Sequence, residues 1–123
     1  MHCLLRSADR TFFDGNATIV VARSPRGEFA IMDEHAPLLA ALDRGAIRIE
    51  ATDGTRVFFC EPGTARIANG TVHLLVETAL PLDEIELSEI KAQIAQLDDG
   101  DDQVLAAERE RLALLLDSKE RYG

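Results

Sequence analysis

Along residues 1–80, apolar and polar positions change over with a period of two. Ile47, Ile49 and Ala51 alternate with Arg48 and Glu50, and Val72, Leu74 and Val76 alternate with His73, Leu75 and Glu77. That is the pattern of a strand with one face buried. "TDGT" (Asp53, Gly54) and "ANGT" (Asn69, Gly70) carry dipeptides that tolerate positive φ at both central positions of a two-residue hairpin turn. Further turn signals fall at Asp14 with Gly15, Pro25 to Gly27, Asp43 to Gly45, and Pro62 with Gly63. Many short strands with no helix between them predict an antiparallel β-sandwich of about ten strands.

The period changes after Pro81. Leu87, Ile90, Ile94 and Leu97 are spaced three, four and three, a single helical stripe, while Glu86, Glu89, Lys91 and Gln93 point elsewhere. A first helix is expected over 84–97, capped by Asp83 with Glu86 as reciprocal partner. "DDGDD", Asp98 to Asp102, breaks it and places carboxylates where the next helix starts. The second helix is expected over 103–121, with Leu105, Leu112, Leu115 and Leu116 on its apolar side. Either helix alone would leave its stripe wet, so the two should form an antiparallel hairpin. The fold class is therefore α+β, a β-sandwich domain over 1–82 followed by a helical hairpin over 83–123.

Charge narrows the choice of function. The chain has 13 basic and 22 acidic residues; 10 acidic and 8 basic fall in 1–82, 12 and 5 in 83–123. The two parts carry about −2 and −7, so a phosphate backbone is repelled and nucleic acid is excluded as a partner. No apolar run reaches the roughly 20 residues of a membrane span, and no secretory or transit leader is evident, so a soluble cytoplasmic chain without direct membrane insertion is expected. Cys3 and Cys60 lie in apolar surroundings without metal-ligand spacing and read as buried free thiols. No nucleophile elbow, phosphate-binding loop or Walker-type lysine is present, so the expectation is no enzyme and no cofactor.

The stretch with most candidate chemistry is "GEFAIMDEHAPLLAALDRG", where Asp33, Glu34 and His35 adjoin. A metal needs three or four convergent donors, and neighbours on one turn rarely converge. Pro37 disfavours helix at Ala36, so the trio is expected in a corner between two strands. A small metalloenzyme built on the trio is one alternative, and a free-standing sandwich adaptor is another.

Gly27, Glu28, Phe29, Ile31, His35, Ala36, Pro37, Leu38, Leu39 and Gly45 follow the order and spacing of a family signature. In these residues the chain resembles the epsilon subunit of the bacterial F-type ATP synthase (delta in mitochondria), and the resemblance runs on through the hairpin. It departs where the family has Gly after Phe29, Pro-Gly before His35, and Gly-Gly-Phe at Pro62 to Thr64. The resemblance implies a non-catalytic central-stalk subunit that binds gamma and the ring of c subunits and couples ion flow to ATP synthesis. It implies a sandwich that binds the rotor, with Glu28, Phe29, Asp33, Glu34, His35 and Pro37 at the c-ring and gamma contacts. The hairpin becomes regulatory, with Arg109, Arg111, Lys119 and Arg121 approaching the beta subunit transiently to restrain hydrolysis, although Glu108, Glu110, Asp117 and Glu120 interleave them. Peripheral attachment to the inner face of the plasma membrane follows from the same resemblance. Some family members bind ATP at the first helix. Here the matching stretch, Ile85 to Ile90, has Glu89 where the phosphate-facing Arg should be, so no ATP binding is expected.

Overall fold

The computed structural model describes residues 1–33, 35–96 and 103–122, and the side chains of all of these except 103–105. Ten strands come first: β1 (His2–Arg6), β2 (Thr11–Asn16), β3 (Ile19–Ser24), β4 (Gly27–Met32), β5 (Leu38–Leu42), β6 (Gly45–Ala51), β7 (Gly54–Cys60), β8 (Gly63–Ala68), β9 (Thr71–Val76) and β10 (Ala79–Pro81). A single 3-10 turn (Leu82–Glu84) leads to α1 (Leu87–Gln96) and α2 (Gln103–Tyr122). The expected Leu97, Glu34, the Asp98 to Asp102 turn and the Leu105 side chain lie outside the described residues.

The strands form two five-stranded sheets, ordered β2-β1-β9-β8-β5 and β10-β7-β6-β3-β4. Both inner faces are apolar because the two-residue alternation sends every second side chain inward. Cys3, Leu5, Val20, Ile31, Ile49, Val72 and Leu74 are wholly buried between the sheets. The expectation of an antiparallel sandwich holds for every strand pair but one. β1 lies parallel to β9, His2 opposite Thr71 through Arg6 opposite Leu75. The chain's first strand thereby joins two hairpins, β1–β2 and β8–β9, into one sheet.

Asn69 and Gly70 make the predicted turn, with φ of 54° and 74°, both in the left-handed region that a two-residue hairpin needs. Two other turn predictions are corrected. Asp14 and Gly15 lie inside β2, opposite Leu4 and Cys3. The chain reverses earlier, where the Ser7 amide donates to the Arg10 carbonyl at 2.8 Å and the Ser7 hydroxyl donates to Asp9 at 3.0 Å. In the β6–β7 hairpin, Ala51 pairs with Gly54, so Thr52 and Asp53 form the loop and Gly54 starts the strand.

The first helix is also corrected at its start. Asp83 is not its cap, because Leu82–Glu84 form the 3-10 turn, Ile85 is extended, and α1 begins at Leu87. Packing explains the delay. Leu82 and Ile85 drop together into an apolar seam with Phe59, Ile90, Leu112 and Leu115, and a continuous α-helix from residue 84 would not present that pair in the same way.

That seam is the second core. Along β7, Phe58 and Cys60 face the sandwich interior while Val57 and Phe59 face outward, under the helices. α1 packs on α2, and α2 packs on β6, β7 and the 3-10 turn, so the hairpin covers the middle of the second sheet's outer face while Met32 on β4 and Leu80 on β10 stay exposed.

Both cysteines are buried free thiols, as expected. Burial pushes the Cys3 thiol from its ordinary 9.0 to about 12, and burial first, then the neighbouring Glu61 carboxylate, pushes Cys60 up as well. A raised thiol pKa means that the folded chain keeps protons the unfolded chain releases above pH 9.0, so stability falls as pH rises from there. A thiol-reactive dye at pH 8 should label neither cysteine in the folded chain and both in urea; labelling of the folded chain at the unfolded rate would contradict this burial.

Candidate functional site

β4 and β5 are the edge strands at one end of the two sheets, and the 33–37 link crosses between them. An open groove of about 690 Å³ runs along this end, lined by the β3–β4 turn (Pro25, Arg26), Phe29, His35, Leu38 and Ala40. Four of the six residues predicted for this region sit on it or beside it. Glu28 is the second residue of β4 on the outer face, Phe29 turns inward against the core, and His35 and Pro37 are exposed on the link. Asp33 is exposed, and its carboxylate accepts from the amine of Met1 at 2.8 Å. His35 Nδ1 lies 2.7 Å from its own neighbour's carbonyl, Ala36 O, and its amide donates to Met32 O at 3.2 Å. Asp33 and His35 thus serve different local partners, which is corner geometry. Among the described residues, no three His, Cys, Asp or Glu side chains gather as metal ligands.

The basic residues predicted on the second helix are occupied in this state. Arg111 Nε reaches Glu61 Oε2 at 3.3 Å, its Nη1 reaches Glu108 at 3.5 Å, and its guanidinium lies 5.9 Å from the Phe59 ring. Arg44 Nε meets the other Glu61 oxygen at 2.7 Å. One carboxylate, only 13% exposed, is therefore held by a cation from the β5–β6 turn and a cation from α2. Lys119 Nζ donates to the Leu82 carbonyl at 2.8 Å, and Arg121 Nη1 lies 3.8 Å from Glu28. Arg109 sits on the same helix and is also engaged. The sequence pattern pointed to the four cations but not to Glu61 or Arg44, which lie 50 and 67 positions from Arg111 and carry no local signal. Tyr122 falls just past the expected end of the second helix at 121 and was missed; the signal that could have found it is its place seven residues after Leu115, on the apolar side.

The first sheet differs in its outer face, which no element among the described residues covers. Leu39 is 74% and Leu75 42% exposed there. Between β1 and β8, His73 stands opposite Leu4 and Arg66, and its Nε2 is buried without a hydrogen-bond partner. Bare leucines on an uncovered sheet face mark a face that gains by being covered. Among the described residues, no helix is long and apolar enough to cross a membrane.

Residues 1–82 match the family described as ATP synthase, Delta/Epsilon chain, beta-sandwich domain. The ATP synthase epsilon chain of Rubrobacter xylanophilus is 33% identical over 96 residues, which cover 78% of this chain and 66% of that protein's length. That of Streptomyces coelicolor is 36% identical over 97 residues, 78% of each chain. In solved structures, the fold matches a chain in the Euglena gracilis mitochondrial ATP synthase assembly of OSCP, F1 and c-ring, with a TM-score of 0.76 at 18% identity, covering 96% of this chain and 76% of that one. It also matches a chain of the Tetrahymena thermophila mitochondrial central stalk and c-ring at 0.63 and 14% identity, covering 98% and 93%.

Proposed function

The chain belongs to the ATP synthase delta/epsilon family, and from that premise we propose that it is a non-catalytic central-stalk subunit which grips the rotor through its sandwich. The sandwich binds gamma and the c-ring, turns with them, and passes torque between ion flow and the catalytic subunits. The observation that carries this reading is the asymmetry of the two sheets. One outer face is covered over β6 and β7 by the hairpin, while the other has no described element over it and carries exposed Leu39 and Leu75. Gamma covers that bare face. The end carrying Glu28, His35 and Pro37 meets the polar loops of the c-ring, with Asp33 holding the corner from behind through Met1. The complex then holds the chain peripherally at the inner face of the membrane.

The hairpin is the regulatory part. A block of hydrolysis at the beta subunit calls on Arg109, Arg111, Lys119 and Arg121, three of which bind Glu61, the Leu82 carbonyl and Glu28 in the folded-down state. Restraint of hydrolysis therefore requires those cations to exchange acceptors, which a two-state hairpin can do if the states differ little in free energy. ATP is not its ligand. Glu89 stands where a phosphate-facing cation is needed, and Ile90 is buried in the seam.

The test is ATP hydrolysis and proton pumping by the complex reconstituted without this chain, with it, and with a form ending at Leu82. Pumping should require either form, and hydrolysis should be restrained by the longer form only. Equal pumping in all three preparations would overturn the reading.

A further inference from the structure

Glu28 stands where two parts of the molecule meet. It lies one residue beyond the start of β4, opposite Arg23 on β3, on the outer face of the hairpin-covered sheet. Its Oε1 accepts from the Tyr122 hydroxyl at 3.3 Å and lies 3.8 Å from Arg121 Nη1, so the end of α2 is tied to the β3–β4 turn. The side chain is still 49% exposed. A cleft of about 250 Å³ separates the turn from the helix and is lined by Arg23, Glu28, Asp117, Arg121 and Tyr122. Under the Tyr122 ring sits Arg48, its guanidinium carbon 6.0 Å from the ring centre and its Nε buried without a hydrogen-bond partner. The apolar seam through Phe59, Leu112 and Leu115 is centred nearer the middle of α2, and the Tyr122 ring packs at its margin.

We propose that Glu28 couples rotor docking to release of the last turn of α2. The inference rests on the reading of the β3–β4 corner as the end that meets the ring. A polar ring loop that engages this carboxylate takes it from Tyr122 and Arg121, and the helix end then keeps the Lys119 bond to the Leu82 carbonyl and the Tyr122 ring against the seam and over Arg48. Tyr122 and Arg121 both use Glu28 Oε1, and a ring loop that bonds the same oxygen competes with them, so docking and closure of the helix end oppose one another. Thermodynamic reciprocity makes the effect symmetrical: docking opens the helix end by the same factor by which a closed end weakens docking. Because the tie is half exposed and its contacts are long, the factor is modest, about two- to fivefold.

The buried Cys3 and Cys60 leave an introduced pair free to carry labels. Thr55→Cys on β7 and Glu120→Cys on the last turns of α2 are both exposed, and energy transfer between dyes on them reports closure of the helix end. Titration of the full chain with a purified gamma–c-ring subcomplex should lower the ratio of closed to open form about two- to fivefold. Tyr122→Phe removes the hydroxyl donor and keeps the ring; it should open the helix end by a similar factor in the isolated chain and tighten rotor binding to match. A role confined to stability would not tighten binding. Rotor binding that leaves transfer unchanged, or Tyr122→Phe with unaltered affinity, overturns the coupling alone. Failure of the unsubstituted chain to bind the rotor overturns the proposed function and the coupling with it.

Discussion

Gly63→Ala should destabilise the sandwich by at least about 3 kcal/mol, the upper end of the usual cost of overpacking. A Cβ at Gly63 would lie 1.9 Å from the Leu75 carbonyl oxygen and 2.7 Å from the Val76 Cα. Both are backbone atoms of β9, paired directly across from Gly63. No rotamer change relieves that overlap; β8 and β9 must separate, and β9 also carries β1 on its other side. Because a domain of this size is stable by about 5–15 kcal/mol in all, the loss is a large share of the total. Urea unfolding measures it as a lowered midpoint with little change in slope. Gly15→Ala is the control, because its Cβ would meet only the Phe13 ring at 3.5 Å, an ordinary contact. Equal midpoints for the two variants would contradict the close approach at Gly63.

Leu112→Ala should undock the hairpin while leaving the sandwich folded. Leu112 is 1% exposed and sits in the seam with Phe59, Ile90 and Leu115, and truncating such a leucine removes about 2–5 kcal/mol. The ionic ties are smaller individually, since exposed pairs contribute roughly 0–1 kcal/mol; the part-buried Glu61 link is the strongest of them. The seam therefore decides whether the hairpin stays down, and the ion pairs set where along the sheet it sits. Hydrogen exchange across α2 should accelerate by at least about 30-fold, the equivalent of the lower bound, while β1 and β9 amides keep their protection. Unchanged exchange in α2 would show that the ion pairs hold the hairpin instead.

How far these features could be read from the chain depends on the range of the interaction that fixes them. The Asn69–Gly70 turn was legible because backbone sterics at two adjacent residues decide it. Asp14–Gly15 carried a similar local signal, yet tertiary pairing with β1 overrode it and kept both residues in the strand. Asp83 had the spacing of a cap, but the demand to bury Leu82 and Ile85 together in the seam inserted a 3-10 turn before the helix. The parallel β1–β9 pair joins residues some 70 positions apart and leaves no periodic trace. At the candidate site, the signature around Glu28 to Pro37 located the corner, whereas its present partners, Met1 for Asp33 and Tyr122 with Arg121 for Glu28, come from the two ends of the chain. The same holds for Arg111. A row of cations on α2 was visible, but its acceptor, Glu61, is a matter of three-dimensional proximity.

The most direct measurement of the central claim is affinity purification of the full chain from cells or from a reconstituted mixture, followed by identification of what stays bound in low-salt buffer. The account predicts gamma and the c-ring in equal molar amount to the chain, with Leu39→Asp and Leu75→Asp together removing gamma from the recovered complex. Recovery of the folded chain alone, or gamma retained undiminished by the double variant, would contradict it.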